Sequence, residues 1–406
     1  MFSRSRGWSV VVACGVIAAC SWGLGFYGLG VYLEALHRLH GWPTSLISAA
    51  ISAYYLVGAL GLLVVGGVIE RWGPALVMVY GSMAMGAAVA ALGWLREPWH
   101  LFVVLVVMGT GWACLSLTAI TAAIMPWFPD RSAPAVTLAL TGASVGGMVF
   151  VPALVAIGQI HGFTALTAAG AATLLVVALP LSALVVRRPR TALPSGSPSG
   201  ADGAGGRAWS RRQALATGRF WTLAVAFGLA LVAQVGFIVH QLALLEPTLG
   251  HLQAALAVSA TTVSALLGRV VAGALADRMD RRVLSASIFA VQAVALAVTA
   301  VSTSAPSLFT ASVAFGLGVG NVITLPPLLV HAEFGARSFA TIFGMASAAM
   351  QVGVALGPGL VGALRDATGG YAVAIGVLAL LDAVAVGAVL WGRGAGPPFD
   401  SLKASR

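Results

Sequence analysis

The chain has 406 residues, of which 59% are hydrophobic and 8% charged, and its net charge is +10. A soluble domain carries roughly 25% charged residues, so the composition excludes a water-exposed globular protein and predicts an all-α membrane protein. The positive charge does not indicate a nucleic-acid partner. The arginines lie in short loops between apolar runs, without the interleaved aromatic residues of a nucleic-acid groove.

The first segment is basic from Met1 to Arg6 and then apolar past Tyr32. We interpret it as a retained first helix rather than a cleaved leader, because the run shows no convincing cleavage site and further spans follow. A membrane span needs about 20 apolar residues, and the breaks between apolar runs predict twelve spans. They are 9–33, 44–69, 75–95, 100–125, 133–160, 163–186, 219–246, 252–276, 283–303, 307–331, 338–363 and 370–392.

The basic residues predict the orientation of these spans. With the N-terminus in the cytoplasm, 18 of the 22 Lys and Arg residues fall on the cytoplasmic side. Only Arg38, Arg96 and Arg365 fall on the opposite side of the membrane, and Arg269 lies inside a span. The excess of cytoplasmic basic residues predicts a multi-pass protein of the bacterial inner membrane with both termini in the cytoplasm.

The central segment 191–206 is rich in Pro, Ser, Gly and Ala, which is typical of a flexible linker. We therefore predict an N-terminal six-helix bundle at 1–187, a cytoplasmic linker at 188–218 and a C-terminal bundle with a short tail at 219–406.

The two predicted bundles repeat each other in sequence. Gly66, Glu70 and Arg71 after span 2 match residues after span 8 at an offset of 207, namely Gly273, Asp277 and Arg278. At an offset of 206, the segment 128–132 matches 334–338, and the match continues into the spans as Gly147 with Gly353 and Pro152 with Pro358. Two parallel repeats predict a substrate site at mid-membrane between the halves.

The repeated loop G-x-x-x-[DE]-R resembles the loop signature of the major facilitator superfamily. The resemblance covers nearly the whole chain and implies two pseudo-symmetric bundles of six transmembrane helices. The acidic loop residues lie at helix ends, where they can meet a helix N-terminus or a loop arginine. We predict that these charged residues latch the cytoplasmic side when it is closed; they are Glu70, Arg71, Arg131, Asp277, Arg278, Arg281 and Arg337.

Arg269 carries the prediction about substrate. It lies eight residues before Asp277, which places it about 12 Å inside the cytoplasmic helix end. A charge there costs about 2.5–3.5 kcal/mol on insertion scales, so it should face a cavity and a partner. The planar guanidinium matches a carboxylate with two hydrogen bonds, and we predict that Arg269 binds a substrate carboxylate. Snorkelling toward the cytoplasm or pairing with another helix is the alternative.

Gly268-Arg269, followed by Gly273 and Asp277, resembles span 8 of the monocarboxylate transporters and the oxalate:formate antiporter group. The start and end of span 1, at 7–11 and 30–34, are similar to the same family. The resemblance implies that the Arg of span 8 binds the anion. Two positions depart from the animal members, because Tyr27 replaces a Lys and Ala265 replaces an Asp. Any proton coupling must therefore use other groups.

Two residues are candidates for that proton. His240 in span 7 titrates near physiological pH when unperturbed, although a structural histidine is an equal reading. Asp382 is an acid inside span 12, which is peripheral in the superfamily, so direct pairing with Arg269 is not expected.

Other polar or aromatic residues inside spans are candidates to bind substrate, with interhelical packing as the alternative for each. Gln234 and Gln241 are seven apart and share one face of span 7. Tyr27 lies in a Gly-rich stretch of span 1 that should bend or pack closely. Trp112 and Asn321 lie near Gly-containing turns of spans 4 and 10.

The sequence contains no nucleotide-binding loop, no metal-ligand spacing and no nucleophile motif. Its three cysteines all lie in apolar segments. We therefore predict no enzyme, no cofactor and no metal. The predicted protein is a monomeric secondary transporter in membrane lipid that carries a small organic anion, a monocarboxylate, by alternating access with a coupled proton. An exporter of lipophilic drugs or aromatic compounds on the same fold is the alternative; a sensor lacks a signalling domain in this reading.

Overall fold

The computed structural model describes residues 4–128, 132–185, 209–276 and 278–394, and every regular element in these ranges is helical. Twelve helical units are long and apolar enough to span a membrane. We number them as spans 1–12. In the first half, span 1 is Arg4–Trp22, the π-helical Gly23–Tyr27 and Gly28–His40; span 2 is Thr44–Trp72; span 3 is Pro74–Leu92; span 4 is Pro98–Cys114, Leu117–Ile124 and the 3-10 turn Met125–Trp127; span 5 is Ser132–His161; and span 6 is Phe163–Ala172, the π-helical Thr173–Ala178 and Leu179–Val185. In the second half, span 7 is Gly218–Leu249; span 8 is His251–Ala276; span 9 is Arg281–Val301; span 10 is Ala305–Val319 and Asn321–Phe334; span 11 is the 3-10 turn Ala336–Ser338 and Phe339–Thr368; and span 12 is Tyr371–Gly394.

All twelve predicted spans are confirmed, and the largest difference is at the end of span 1. The helix continues to His40 rather than residue 33 and ends at Gly41, whose φ is 65°. The basic residues of its last turn, including His37 and Arg38, favour this extension because they complement the helix dipole. Span 11 likewise continues to Thr368, with Arg365 in its last turn.

The predicted linker lies mostly outside the described residues, including its flexible part at 191–206. Its described end forms a short helix, Arg211–Leu215, that begins with a capping box between Ser210 and Gln213. Trp209 docks this end on the second half of the chain, since its backbone N donates to Ser338 Oγ at 2.7 Å and its ring contacts Phe334.

Close helix crossings confirm the repeat in four spans. A Cβ placed on Gly109 of span 4 would meet the carbonyl oxygen of Tyr54 in span 2. A Cβ on Gly316 of span 10 would meet the carbonyl oxygen of Thr261 in span 8. Both pairs are related by an offset of 207, the one that the loops predicted.

The predicted correspondence between spans 5 and 11, at an offset of 206, is wrong by five residues. Gly146 approaches the carbonyl of Ala19 and the backbone N of Gly23 in span 1, and Gly357 makes the same approach to Val232 and Gly236 in span 7. Gly146 therefore corresponds to Gly357, an offset of 211.

The predicted matches of Gly147 with Gly353 and of Pro152 with Pro358 consequently do not join equivalent positions. Small residues are selected at each backbone crossing separately, so a shared glycine or proline elsewhere in the helix does not define the register.

We refer to the two ends of the bundle by one residue each. The Arg38 end contains the end of span 1, and the Arg71 end contains the end of span 2. The most extensive contacts between spans 1–6 and spans 7–12 are those of span 1 with 7, span 2 with 11, and span 5 with 8.

Between described residues, the polar contacts that join the halves run from the Arg38 end to mid-span. Asp366 accepts from the backbone N of Ser45 at 2.6 Å, and Arg365 contacts His37 at 3.3 Å. Arg38 forms an ion pair with Glu246. The halves are thus closed together at the Arg38 end.

Spans 2 and 11 are separated toward the Arg71 end. Near the Arg38 end, Cβ atoms on Gly359 and Gly362 of span 11 would touch Ser52 and Ser48 of span 2. Farther along, Gly344 of span 11 and Gly67 of span 2 have no atom within 4 Å of that position. The bundle therefore opens toward the Arg71 end.

Candidate functional site

Arg269 lies partly buried where span 8 of the second half crosses span 5 of the first. Its Nη1 donates to Ser144 Oγ at a long 3.5 Å, and its buried Nε has no hydrogen-bond partner among the described residues. Those residues provide Arg269 with no carboxylate, since none of their ion pairs includes it. The site therefore holds an uncompensated positive charge in the middle of the bundle.

The helix break in span 10 makes room for this side chain. Gly320 separates the two helices of span 10, and a Cβ there would overlap Nε, Cγ and Cδ of Arg269. Asn321 begins the second helix and is buried, and its Nδ2 donates to the carbonyl of Leu317 at 2.9 Å. Asn321 thus holds the break rather than extending to Arg269.

The substitution Gly320→Ala should impair transport without unfolding the protein. The three atoms nearest to the added methyl group all belong to the flexible side chain of Arg269, so we expect the guanidinium to shift while the helices stay in place. We expect a loss of about 10–100-fold in uptake efficiency, since small displacements of a positioning group have effects of that order. Uptake assays and thermal unfolding measure the two effects separately. Gly387→Ala, in open space on span 12, is the control; a large drop in unfolding temperature for Gly320→Ala would contradict this account.

Tyr27 lies at the end of the π-helical turn of span 1. The turn widens the helix, and the carbonyl of Gly25 within it accepts from Tyr54 Oη at 2.7 Å. The ring of Tyr27 covers Gly147 of span 5, next to Thr262 of span 8. Gly147 lies three residues from Ser144, which accepts from Arg269, so Tyr27 and Arg269 contact the same face of span 5, and no hydrogen bond engages the Tyr27 hydroxyl among the described residues. Tyr27 is therefore available to a ligand beside Arg269.

Trp112 belongs to an aromatic cluster that continues from Tyr27. The ring of Phe26 lies 5.0 Å from Tyr27 and 6.3 Å from Trp112, against which it stacks. The ring of Trp22 lies 4.7 Å from that of Trp112, and Tyr55 lies 6.1 Å from Phe26. We call these five residues the aromatic wall.

The two glutamines of span 7 are both buried, but their surroundings differ. Gln241 Nε2 donates to Thr261 Oγ1 of span 8 at 2.8 Å, so it joins two helices of the second half. Gln234 has no hydrogen-bond partner for either side-chain atom among the described residues. Of the two, Gln234 retains its full capacity to bind a ligand.

His240 is buried between the halves. Its Nε2 lies 3.2 Å from Ser48 Oγ in span 2 and 3.2 Å from the carbonyl oxygen of Pro358 in span 11. Its Nδ1 lies 3.3 Å from the Tyr371 hydroxyl. Because Ser48 belongs to the opposite half, this arrangement exists only while the Arg38 end is closed.

Asp382 is fully buried in span 12, and neither carboxylate oxygen has a hydrogen-bond partner among the described residues. Span 12 packs on spans 7 and 9. Asp382 therefore lies within the second half, away from the crossing of spans 5 and 8 that holds Arg269.

The predicted latch residues lie at the open Arg71 end. Glu70, Arg71, Arg278 and Arg337 are exposed, and Glu70 and Arg71 make no ion pair with a described residue. Arg281 donates to the carbonyl of Leu328 at 3.0 Å, within the second half. Arg131 and Asp277 lie outside the described residues. The latch thus stays a prediction about a conformation in which this end is closed.

Sequence reasoning missed a buried ion pair at the Arg71 end. Arg282 binds both carboxylate oxygens of Glu333, at 2.6 and 2.8 Å, and it donates to Thr222 and to the carbonyl of Val389. This arginine joins spans 7, 9, 10 and 12. The sequence could have indicated this ion pair, because it places an acid and an arginine at span ends on the same side of the membrane.

A second missed cluster closes the Arg38 end. Arg38 pairs with Glu34 at 3.2 Å and with Glu246 of the opposite half, and His251 contacts Glu246 at 2.5 Å. A cavity of about 290 Å³ lies beside this cluster, between spans 1, 5, 6, 7 and 8. The charges at the ends of spans 1 and 7 were visible in the sequence, but their pairing required the helix arrangement.

Comparisons with known proteins agree with this architecture. The family model described as Major Facilitator Superfamily matches residues 11–251 and 242–405. Monocarboxylate transporter 11 of Mus musculus is 28% identical over 90% of this chain and 82% of its own length. An aspyridones efflux protein of Emericella nidulans is 23% identical over 90% of this chain and 73% of its own.

Among solved structures, a bacterial homolog of the human lysosomal transporter Spinster, in an inward-facing and occupied conformation, superposes with a TM-score of 0.80. It is 15% identical and covers 98% of both chains, so the likeness concerns the fold.

Proposed function

Because this chain belongs to the major facilitator superfamily and is a multi-pass membrane transporter rather than an enzyme, we propose that it carries a small organic anion, a monocarboxylate. The observation that supports the proposal is the uncompensated charge of Arg269 at the crossing of the two halves. An anionic substrate would supply the missing countercharge, and two parallel N–H donors would orient its carboxylate. Tyr27 would hydrogen-bond the same substrate, and Gln234 is a further candidate.

We infer the direction of opening from the orientation that the basic residues predict. If the N-terminus is cytoplasmic, as we propose for a bacterial inner membrane, the Arg71 end faces the cytoplasm and this conformation is open inward. Transport would then alternate between closure at Arg38, Glu246 and Asp366 and closure by the predicted latch. The proposed functional unit is the monomer, with the domain boundaries given by the sequence.

Uptake into proteoliposomes tests the substrate class. The purified protein should exchange radiolabelled acetate, propionate and pyruvate and should not exchange acetamide, which has acetate's size without its charge. Equal exchange of acetate and acetamide, or no exchange of any carboxylic acid, aliphatic or aromatic, would disprove carboxylate transport.

We further propose that the anion enters with a proton, because electroneutral entry avoids opposition by the membrane potential. His240 is the candidate carrier, since its contact with Ser48 breaks when the Arg38 end opens and would expose the imidazole. Asp382 is the second candidate, but its position between spans 7, 9 and 12 is remote from Arg269.

A pH gradient should therefore drive accumulation of the acid. One-to-one symport allows about tenfold accumulation per pH unit, the free energy of one proton across that gradient. His240→Gln should keep exchange of labelled for unlabelled acid but lose this accumulation, and Asp382→Asn serves as the comparison. Uptake that follows only the substrate gradient in the wild type would exclude proton coupling.

Export of lipophilic or aromatic compounds is the second candidate function. The similarity to a protein named for efflux and the aromatic wall favour it. Arg269 disfavours cationic compounds, because they would be repelled from the centre of the bundle. Resistance profiles of cells with and without the protein distinguish the two functions.

A further inference from the structure

We infer that the transported anion is an aromatic carboxylate, whose acid group binds Arg269 and whose ring lies against the aromatic wall. The inference rests on the proposed function and specifies its substrate. Its basis is the juxtaposition of one unpaired cation with Trp22, Phe26, Tyr27, Tyr55 and Trp112. It depends on three properties of the aromatic wall. The wall begins next to Arg269, its outer rings are accessible, and few other polar groups lie around it.

The wall begins next to the cation. The Tyr27 ring covers Gly147 of span 5, three residues from Ser144, and Ser144 accepts from Arg269. From Tyr27 the rings continue through Phe26 to Trp112 at separations of 5.0 and 6.3 Å. A carboxylate on Arg269 therefore has aromatic surface beyond it in one direction. A two- or three-carbon acid would contact little of that surface.

The outer rings of the wall are accessible at mid-span. Trp22 and Trp112 are only partly buried, whereas Phe26, Tyr27 and Tyr55 are nearly enclosed. Span 1 packs against spans 2, 4, 5, 6 and 7, so other helices surround it on most sides. We assign the accessible part of Trp22 to the space between the halves, where Arg269 also lies.

The surface around this space offers few other polar groups. Ser144 makes a long contact with Arg269, and Thr262 Oγ1 is occupied by the carbonyl of Ser259 at 2.7 Å. A sugar or a nucleoside would leave its hydroxyl groups without partners at such a surface, while an aromatic ring gains both burial and favourable edge or face contacts.

The π-helical turn positions the wall. It contains Phe26 and Tyr27 and begins directly after Trp22, and Gly25 allows Trp112 and Tyr54 to approach the backbone closely. Single π-helical turns occur frequently at functional sites. The aromatic residues are thus presented by a specialised backbone rather than by regular helix packing.

Uptake by proteoliposomes of phenylacetate and acetate tests the inference. The wild type should take up phenylacetate with at least a tenfold higher kcat/KM, and cyclohexylacetate should fall between the two. Trp112→Leu should reduce the ratio of phenylacetate to acetate efficiency by about tenfold, as expected for the loss of an aromatic contact together with its buried area. Trp112→Phe should restore most of the ratio.

Trp391→Leu is the matched control, because this tryptophan is 79% exposed on span 12 and should leave the ratio unchanged. If the wild type transports acetate as efficiently as phenylacetate, or if Trp112→Leu reduces both equally, the aromatic assignment is wrong while carboxylate transport stands. If neither acid is transported, the proposed function itself fails.

Discussion

Replacing Arg269 with Gln should reduce carboxylate transport by about 10²–10⁴-fold, because two charge-assisted hydrogen bonds of about 1.5–3 kcal/mol each are lost. Glutamine keeps much of the side-chain length but has no charge and no paired donor fork. The described residues supply Arg269 with no acidic partner, so its removal breaks no ion pair among them. Initial uptake rates over a range of acid concentrations measure the loss.

Arg269→Lys should give an intermediate loss of about 10–100-fold, since the charge remains but one directed hydrogen bond is lost. Arg96→Gln is the control; this arginine is exposed in the loop between spans 3 and 4. Both Arg269 variants should insert and unfold like the wild type. Wild-type uptake by Arg269→Gln would show that the arginine has another role, such as contacting lipid headgroups.

The second large effect is expected at the crossing of spans 1 and 5. A Cβ on Gly142 would collide with the backbone carbonyl of Gly15, so Gly142→Val must push the helices apart. We expect a destabilisation of about 3 kcal/mol, which corresponds to a decrease of roughly 6–12 °C in apparent unfolding temperature. Thermal unfolding in detergent measures it. The same change at Gly353 should have a similar effect, because Gly353 meets the carbonyl of Gly228 in the second half.

Gly376→Val is the control for this prediction. Gly376 lies in span 12 with no atom within 4 Å of a Cβ position, so valine there should change the unfolding temperature little. If Gly142→Val and Gly376→Val proved equally stable, the close crossing of spans 1 and 5 would not be a determinant of the fold.

The structural equivalence of Gly142 in span 5 and Gly353 in span 11 illustrates a limit of sequence comparison. The loops after spans 2 and 8 preserve the offset of 207 because they carry a charged motif, and the crossings of spans 2 with 4 and 8 with 10 preserve it too. In spans 5 and 11, glycine and proline are common enough that a chance match at 206 resembles the true repeat. Only the backbone contacts distinguish the correct offset of 211.

The sequence by itself determined the twelve spans, the two-fold repeat and the exceptional position of Arg269. These follow from local hydrophobicity, from loop motifs and from the cost of a charge in lipid, none of which requires knowledge of helix packing. The tertiary structure decided which side chains meet across the halves. It paired Arg38 with Glu246, enclosed His240 against Ser48, and placed the rings of Trp22 and Trp112 together.

Such contacts join residues far apart in the chain, and a helix can present a given face to several neighbours. The periodicity of one span therefore cannot specify its partner. The first expectation from the composition, a membrane protein with very few charges, remains correct. The structure added that one of those charges has no acidic partner among the described residues and lies beside an aromatic surface.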